Sequence, residues 1–320
     1  MPSPLRCALC FIVACASVAQ TLDWIGQTFD GSAVTLWSLK DDGTHGAARG
    51  SVTLPAGSAV GVDLFRCQPY GRWCQFIATS SAGAATLYNV SVTNAGLAGS
   101  VALPPADRIV SLHIDANTGI SYFTALTGAG AQILSVRNDG TATTVVDLSS
   151  YLVSGATVKP GGATHCSNKK LMWVTISNST GGVILTVDYS AGKVTAQQRI
   201  TFPGFSSMWA DCGEFVVTDD IVQGTVFNQE SGVLAYGGVT ATGDFHAVAT
   251  GTGPAGLVPN GVLTFADVFT TNYNYVAALY PPTASPGPTP ANGYLAFFAE
   301  GGPGMTFLPV AYYLAGASLS

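Results

Sequence analysis

Short apolar runs alternate with compact polar breaks along nearly the whole chain. Runs such as Gly182-Val-Ile-Leu-Thr-Val187 and Tyr294-Leu-Ala-Phe-Phe298 are bounded by Gly, Asn, Asp and Ser. That pattern predicts β-strands, because Gly and Asn supply the positive φ that tight hairpin turns require. The runs are apolar at successive positions, not alternate ones, so the sheets they form are expected to be covered on both faces.

The runs also repeat. The clearest unit reads Ser111-Leu-His-Ile-Asp115, Ala-Asn-Thr-Gly119, Ile120 to Leu126, Gln132-Ile-Leu-Ser-Val136, Arg-Asn-Asp-Gly140 and Thr141 to Leu148, which is four strands and their turns. Its third hairpin is read again at Lys40-Asp-Asp-Gly43, Thr93-Asn-Ala-Gly96, Tyr189-Ser-Ala-Gly192 and Gln229-Glu-Ser-Gly232, with the glycines 40 to 53 residues apart. Such spacing suits a repeated four-stranded sheet. A sixth unit is drawn from Val262 to Leu314, with Gly301-Gly302 at its hairpin. Its proline-rich insertion, 281–290, is expected to form a surface loop of extended backbone.

Two stretches, Ile114-Asp115-Ala-Asn-Thr-Gly119-Ile-Ser-Tyr122 and Leu185-Thr-Val-Asp188-Tyr-Ser-Ala-Gly192-Lys-Val194, give the chain a resemblance to degenerate β-propellers of the YVTN, NHL and quinoprotein-like kind. The resemblance implies an all-β fold, one propeller domain over 20–320 with about six four-stranded blades. Tandem β-sandwiches are the alternative, although their strands would alternate apolar and polar residues more cleanly. Aligning the units places Cys67, Asp115, Cys166 and Cys212 just after each first strand, the strand that lines a propeller's central channel.

Composition narrows the setting. Only 9% of residues are charged, against about 25% in ordinary soluble domains. The net charge is −6 with Lys and Arg scattered, so no basic stripe is present to neutralise phosphates and no nucleic-acid partner is expected. The start, one Arg at position 6, an apolar run from Cys7 to Ala16, then Ser17-Val18-Ala19, predicts a signal peptide over 1–19 and a secreted chain. No later apolar run is long enough for a membrane span, the nearest being Met305 to Leu314 with Pro309 inside it.

Seven cysteines minus the three in the leader leave four, an even count that favours two disulfides in an oxidising compartment. Three connectivities are open on count alone. The unit alignment favours Cys67–Cys74 within one blade and Cys166–Cys212 across neighbouring blades. Asn89-Val-Ser91 and Asn178-Ser-Thr180 are glycosylation acceptor sequences.

The candidate chemistry is sparse. His113 and Asp115 are two apart on one strand and share a face, so with His165 and Asp211 they form the best channel-mouth candidate for a metal or an acid–base pair. No His-x-His or His-x-x-x-His ligand spacing exists in the mature chain, and only three glutamates occur. No Gly-x-Ser-x-Gly elbow or phosphate loop is present. No cofactor is therefore expected. Tyr70, Tyr273 and Tyr275 are the candidate ligand-binding aromatics, while Trp73, Trp173 and Trp209 are assigned to the core. The function expected is a non-catalytic extracellular binding module for a protein or a glycan. The alternatives are a propeller hydrolase or lyase with a channel metal, and a self-assembling structural protein.

Overall fold

A computed structural model of the chain describes residues 24–40, 44–68, 73–115, 117–128, 130–137, 139–152, 154–166, 169–202, 206–210, 220–228, 230–259, 273–287, 292–299 and 304–319. The described chain begins with β1 (Trp24–Phe29), β2 (Ala33–Leu39) and β3 (His45–Thr53). Its last strand, β24 (Gly316–Leu319), returns to pair with β1 and completes the first sheet in the order β24-β1-β2-β3. The second blade is β4 (Ala59–Cys67), β5 (Trp73–Thr79), β6 (Ala85–Ser91) and β7 (Gly96–Ala102). The third is β8 (Arg108–Ile114), β9 (Ser121–Thr127), β10 (Gly130–Val136) and β11 (Ala142–Asp147). The fourth is β12 (Thr157–Cys166), β13 (Leu171–Asn178), β14 (Gly181–Asp188) and β15 (Lys193–Ile200). The fifth is β16 (Ser206–Ala210), β17 (Asp220–Asn228), β18 (Val233–Thr240) and β19 (Phe245–Thr252). The sixth is β20 (Val258–Pro259), β21 (Tyr273–Tyr280), β22 (Gly293–Ala299) and β23 (Thr306–Val310). The protein is thus a six-bladed β-propeller of antiparallel four-stranded sheets, with the first strands of successive blades packed beside one another at the centre.

The core lies between blades. One cluster joins Leu64, Ile77 and Leu87 of the second blade to Leu112, Phe123 and Val136 of the third. The next joins Val110, Ile133 and Val146 of the third to Val158, Met172 and Val187 of the fourth. A strand in the middle of a blade therefore loses water on both faces, which accounts for the continuous apolar runs. Each such Leu, Ile, Val or Phe contributes roughly 1.5–3 kcal/mol of transfer free energy.

Two features differ from the sequence reading. The hairpin Gln229-Glu-Ser-Gly232 joins the second and third strands of the fifth blade, β17 and β18, not the third and fourth. Its true third hairpin is Thr240-Ala-Thr-Gly243, where Gly243 has φ 90° and its N–H donates to the Thr240 carbonyl at 3.0 Å. Gly232 also has positive φ, 70°, so spacing of left-handed glycines cannot tell one hairpin of a blade from the next.

The second difference is the closure of the ring. The sixth blade ends at Val310, short of the Leu314 drawn for its unit, and the chain beyond it continues into β24, the innermost strand of the first blade. Tyr280, fully buried at the end of β21, fixes the path to it. Its hydroxyl donates to the Tyr312 carbonyl at 3.0 Å and accepts the Leu314 N–H at 2.8 Å. The Ala315 N–H then donates to the Gln27 carbonyl in β1 at 2.8 Å.

Candidate functional site

Asp115 follows β8 directly and is 1% exposed. It organises its own turn first. Its Oδ1 accepts the N–H groups of Asn117 and Thr118 at 2.9 and 3.1 Å, and its carbonyl accepts the Gly119 N–H at 2.7 Å. The turn closes with Gly119 at φ 69°, a conformation that favours glycine.

The other carboxylate oxygen leaves the blade. Asp115 Oδ2 accepts Lys170 Nζ at 3.0 Å and the Tyr189 hydroxyl at 2.8 Å, both from the turns that follow β12 and β14 of the fourth blade. The Tyr189 ring lies 4.7 Å from that of Tyr122, tilted by 46°, and Lys170 Nζ stands 6.0 Å from the Tyr189 centroid. Burial works to raise the Asp115 pKa, but Lys170, Tyr189 and the two backbone N–H donors together hold it below the ordinary carboxylate value. Burial, with the Asp115 charge, raises that of Tyr122. The carboxylate is therefore ionised and held by four donors, a tie between two blades.

His113 is 3% exposed on β8, opposite Tyr122 in the ladder. His165 lies in β12 opposite Met172; its side chain, like all of Asp211, is outside the described residues. Among the described residues, no group of three or more His, Cys, Asp or Glu is placed to hold a metal ion. Tyr70 is outside the described residues, as are the side chains of Tyr273 and Tyr275 in β21. Cys67 and Cys74 are ladder partners joined by a disulfide. The Cys166 side chain and Cys212 lie outside the described residues.

Sequence reasoning missed the partners that give Asp115 its role. Lys170 has positive φ, 57°, and Tyr189 stands in the Asp188-Tyr-Ser-Ala-Gly192 turn that the repeat had already marked. Read as a blade-to-blade position, that turn was the available signal. Also missed was a neutral link between the second and third blades. Ser121 of β9 donates to Gln75 Oε1 at 2.7 Å, and Gln75 Nε2 donates to Asn89 Oδ1 at 2.6 Å. Gln75 is fully buried and Ser121 nearly so.

Three surface clefts are formed by described residues. One of about 560 Å³ is lined by Tyr151, Asn178, Thr180 and Arg199 among others. A second, of about 380 Å³, includes Lys169, Trp173 and Gln198. The third, of about 710 Å³, includes Trp73, Asn89 and Ser91 of the second blade. Trp73 is only half-buried there, unlike Trp173 at 5% exposed, so the assignment of Trp73 to the core is corrected. It is the first residue of β5 and is not part of the buried apolar cluster between the second and third blades.

Comparison of the sequence with protein-family models finds no match, and comparison with curated proteins finds none. The fold does have likenesses among solved structures. The chain is similar to TolB from Acinetobacter baumannii at TM-score 0.52 and 11% identity, over 93% of this chain and 66% of that one, so it spans slightly less than two thirds of TolB's length. It is similar to the periplasmic gluconolactonase PpgL of Pseudomonas aeruginosa at TM-score 0.52 and 12% identity, over 91% of this chain and 83% of that one. A protein from Lactobacillus plantarum matches at TM-score 0.50 and 11% identity, over 93% and 99%. At such identities these likenesses show the propeller fold alone.

Proposed function

We propose that this propeller is a secreted, non-catalytic binding module that presents its surface clefts and loops to an extracellular protein or glycan. The observation that carries the reading is the state of Asp115. It is the one described carboxylate of the sequence's candidate site, and its two oxygens are already committed to four donors across a blade seam. A general acid or base needs a lone pair or proton free for substrate. The clefts formed by described residues lie away from Asp115, on the surface of a rigid frame, where binding sites of repeat scaffolds are commonly placed.

Secretion is supported by the leader pattern of 1–19 and by the Cys67–Cys74 disulfide, which suits an oxidising compartment. No helix among the described residues is long and apolar enough to cross a membrane. Asn178 is the better glycan acceptor, because it opens an exposed turn in which its Oδ1 takes the Thr180 N–H and hydroxyl, both at 2.9 Å. Asn89, within β6, holds its oxygen against Gln75.

The test is expression through a secretory pathway, followed by N-terminal sequencing and binding and turnover assays on the purified product. A chain starting at Gln20, with saturable binding to an extracellular polymer or protein and no turnover of glycosides or lactones, is the expected outcome. Lactones belong in the panel because the PpgL structure bears the name of a gluconolactonase. Multiple turnover of any of these substrates would overturn the non-catalytic reading, and a retained leader would overturn secretion of the cleaved form.

A further inference from the structure

We infer that the cleft beside Trp73 is a binding site for a short neutral oligosaccharide, with the indole as its stacking surface. This rests on the reading of the chain as a binding module and gives that reading a site and a ligand class. The cleft of about 710 Å³ falls within the roughly 300–1,000 Å³ typical of small-molecule sites. Its polar walls are Asn89, Ser91, Thr93, Asn94 and Ser100, and none of the described residues that line it is charged.

That lining selects the ligand. A phosphate or carboxylate ligand would meet no cation among the described lining residues, whereas the two smaller clefts offer Arg199 and Lys169. An apolar ligand would strip water from amides and hydroxyls without replacing their hydrogen bonds, at about 1–3 kcal/mol for each group left bare. A neutral sugar presents hydroxyls around an apolar C–H face, which matches side-chain amides and hydroxyls set around one aromatic ring.

The walls are also held in place before any ligand arrives. Gln75 donates to Asn89 Oδ1 at 2.6 Å, which fixes the orientation of the Asn89 amide. Ser91 Oγ accepts the Asn94 N–H at 3.1 Å and stands 3.1 Å from Thr93 Oγ1, so the β6–β7 turn is tied to the strand. The third blade approaches two of the lining residues with glycines: a Cβ at Gly119 would stand 3.7 Å from the Trp73 ring, and one at Gly140 would stand 3.7 Å from Val101. Gly99, in β7, leaves the floor open, since a Cβ there would meet nothing within 4 Å. Pre-organised walls lower the ordering cost of binding.

The experiment uses the full mature chain and neutral tetrasaccharides of β-linked glucose, xylose, mannose and N-acetylglucosamine, with tetragalacturonate as the acidic comparison. Affinity is read by calorimetry and by Trp fluorescence. At least one neutral series should bind saturably and more tightly than the acidic one. Trp73→Ala should lower that affinity about tenfold or more. Gly99→Leu should lower it similarly by filling the cleft, and it keeps the fold, as its unchanged melting temperature will report, because its side chain enters open space. Binding that is equal in the wild type and both variants would overturn the site while leaving the binding-module reading standing. So would the absence of neutral-sugar binding, or a preference for the acidic ligand. Cleavage of a tetrasaccharide, detected as new reducing ends, would instead overturn the non-catalytic reading and leave the cleft as the place of binding.

Discussion

The two seams that flank the third blade solve one problem in different ways. Toward the fourth blade, the end of the seam is closed by a charge, with Asp115 accepting from Lys170 and Tyr189. Toward the second blade, the tie is neutral and deeper, Ser121 to Gln75 to Asn89, and the Trp73 cleft is lined by second-blade residues that include this same Asn89. The position equivalent to Asp115 in the second blade is Cys67, which is bound within its own hairpin to Cys74. A repeat therefore need not use its equivalent positions equivalently. Where the turn residue reaches across, a charge ties the seam; where it is stapled at home, a neutral link between strands does.

The largest effect should come from breaking the charged tie. Asp115→Ala leaves the Tyr189 hydroxyl and Lys170 without their carboxylate and removes the acceptor that shapes the β8–β9 turn. Lys170 is 35% exposed along its side chain and regains water, so the loss is smaller than for a fully buried ion pair. About 3 kcal/mol is expected, read as the shift of the urea midpoint. Lys170→Ala, which leaves three donors on the carboxylate, should cost about 1–2 kcal/mol. Equal, negligible losses in both variants would show that the seam is held by its apolar cluster alone.

Acid sharpens the same comparison. The folded-state pKa of Asp115 is lowered below an unfolded value of about 3.9. Its contribution is thus complete above that value and disappears as pH falls through the folded pKa. Asp30, Asp139, Asp147 and Asp188 are lowered as well, by hydrogen bonds within their own turns, so the wild type alone cannot isolate Asp115. The difference between wild type and Asp115→Asn can. The gap in urea midpoint, expected to be about 1–3 kcal/mol at pH 7, should narrow steadily below pH 4. A gap that stays constant across that range would mean that the lost stability is steric and not electrostatic.

These two seams also mark how far the sequence could be read. Strand-forming runs and left-handed glycines such as Gly119 and Gly192 are local signals, and from them came the all-β class, the four-stranded unit and the six blades. The Cys67–Cys74 pairing was legible because both residues flank one hairpin. The ring closure was not, because β24 pairs with β1 from the opposite end of the chain and no local pattern records that. Hairpin order in the fifth blade failed because Gly232 and Gly243 have the same conformation in successive turns. The role of Asp115 was half legible: its turn was visible, but its partners Lys170 and Tyr189 lie 55 and 74 residues away. Trp73 shows the same limit. Whether a strand-end Trp is packed or exposed depends on the neighbouring blade, which brings Gly119, a residue without a side chain, up to the Trp73 ring.

The smallest effect expected tests whether the neutral tie supports the open cleft. Ser121→Ala removes the donor to Gln75 Oε1 in a fully buried setting, at a cost of about 1 kcal/mol. The consequence for binding is indirect. Gln75 also orients Asn89, so a Gln75 side chain freed at one end holds the Asn89 amide less firmly against the cleft. Neutral oligosaccharide affinity should fall about threefold, a change near 0.6 kcal/mol, while Asp115→Asn, acting at the other seam, should leave it unchanged. If Asp115→Asn weakens the sugar as much as Ser121→Ala does, the two seams are coupled through the third blade and the cleft is tuned by the whole blade's position. If neither does, Asn89 is fixed by its own strand and the Ser121–Gln75 tie serves only to hold the second and third blades together.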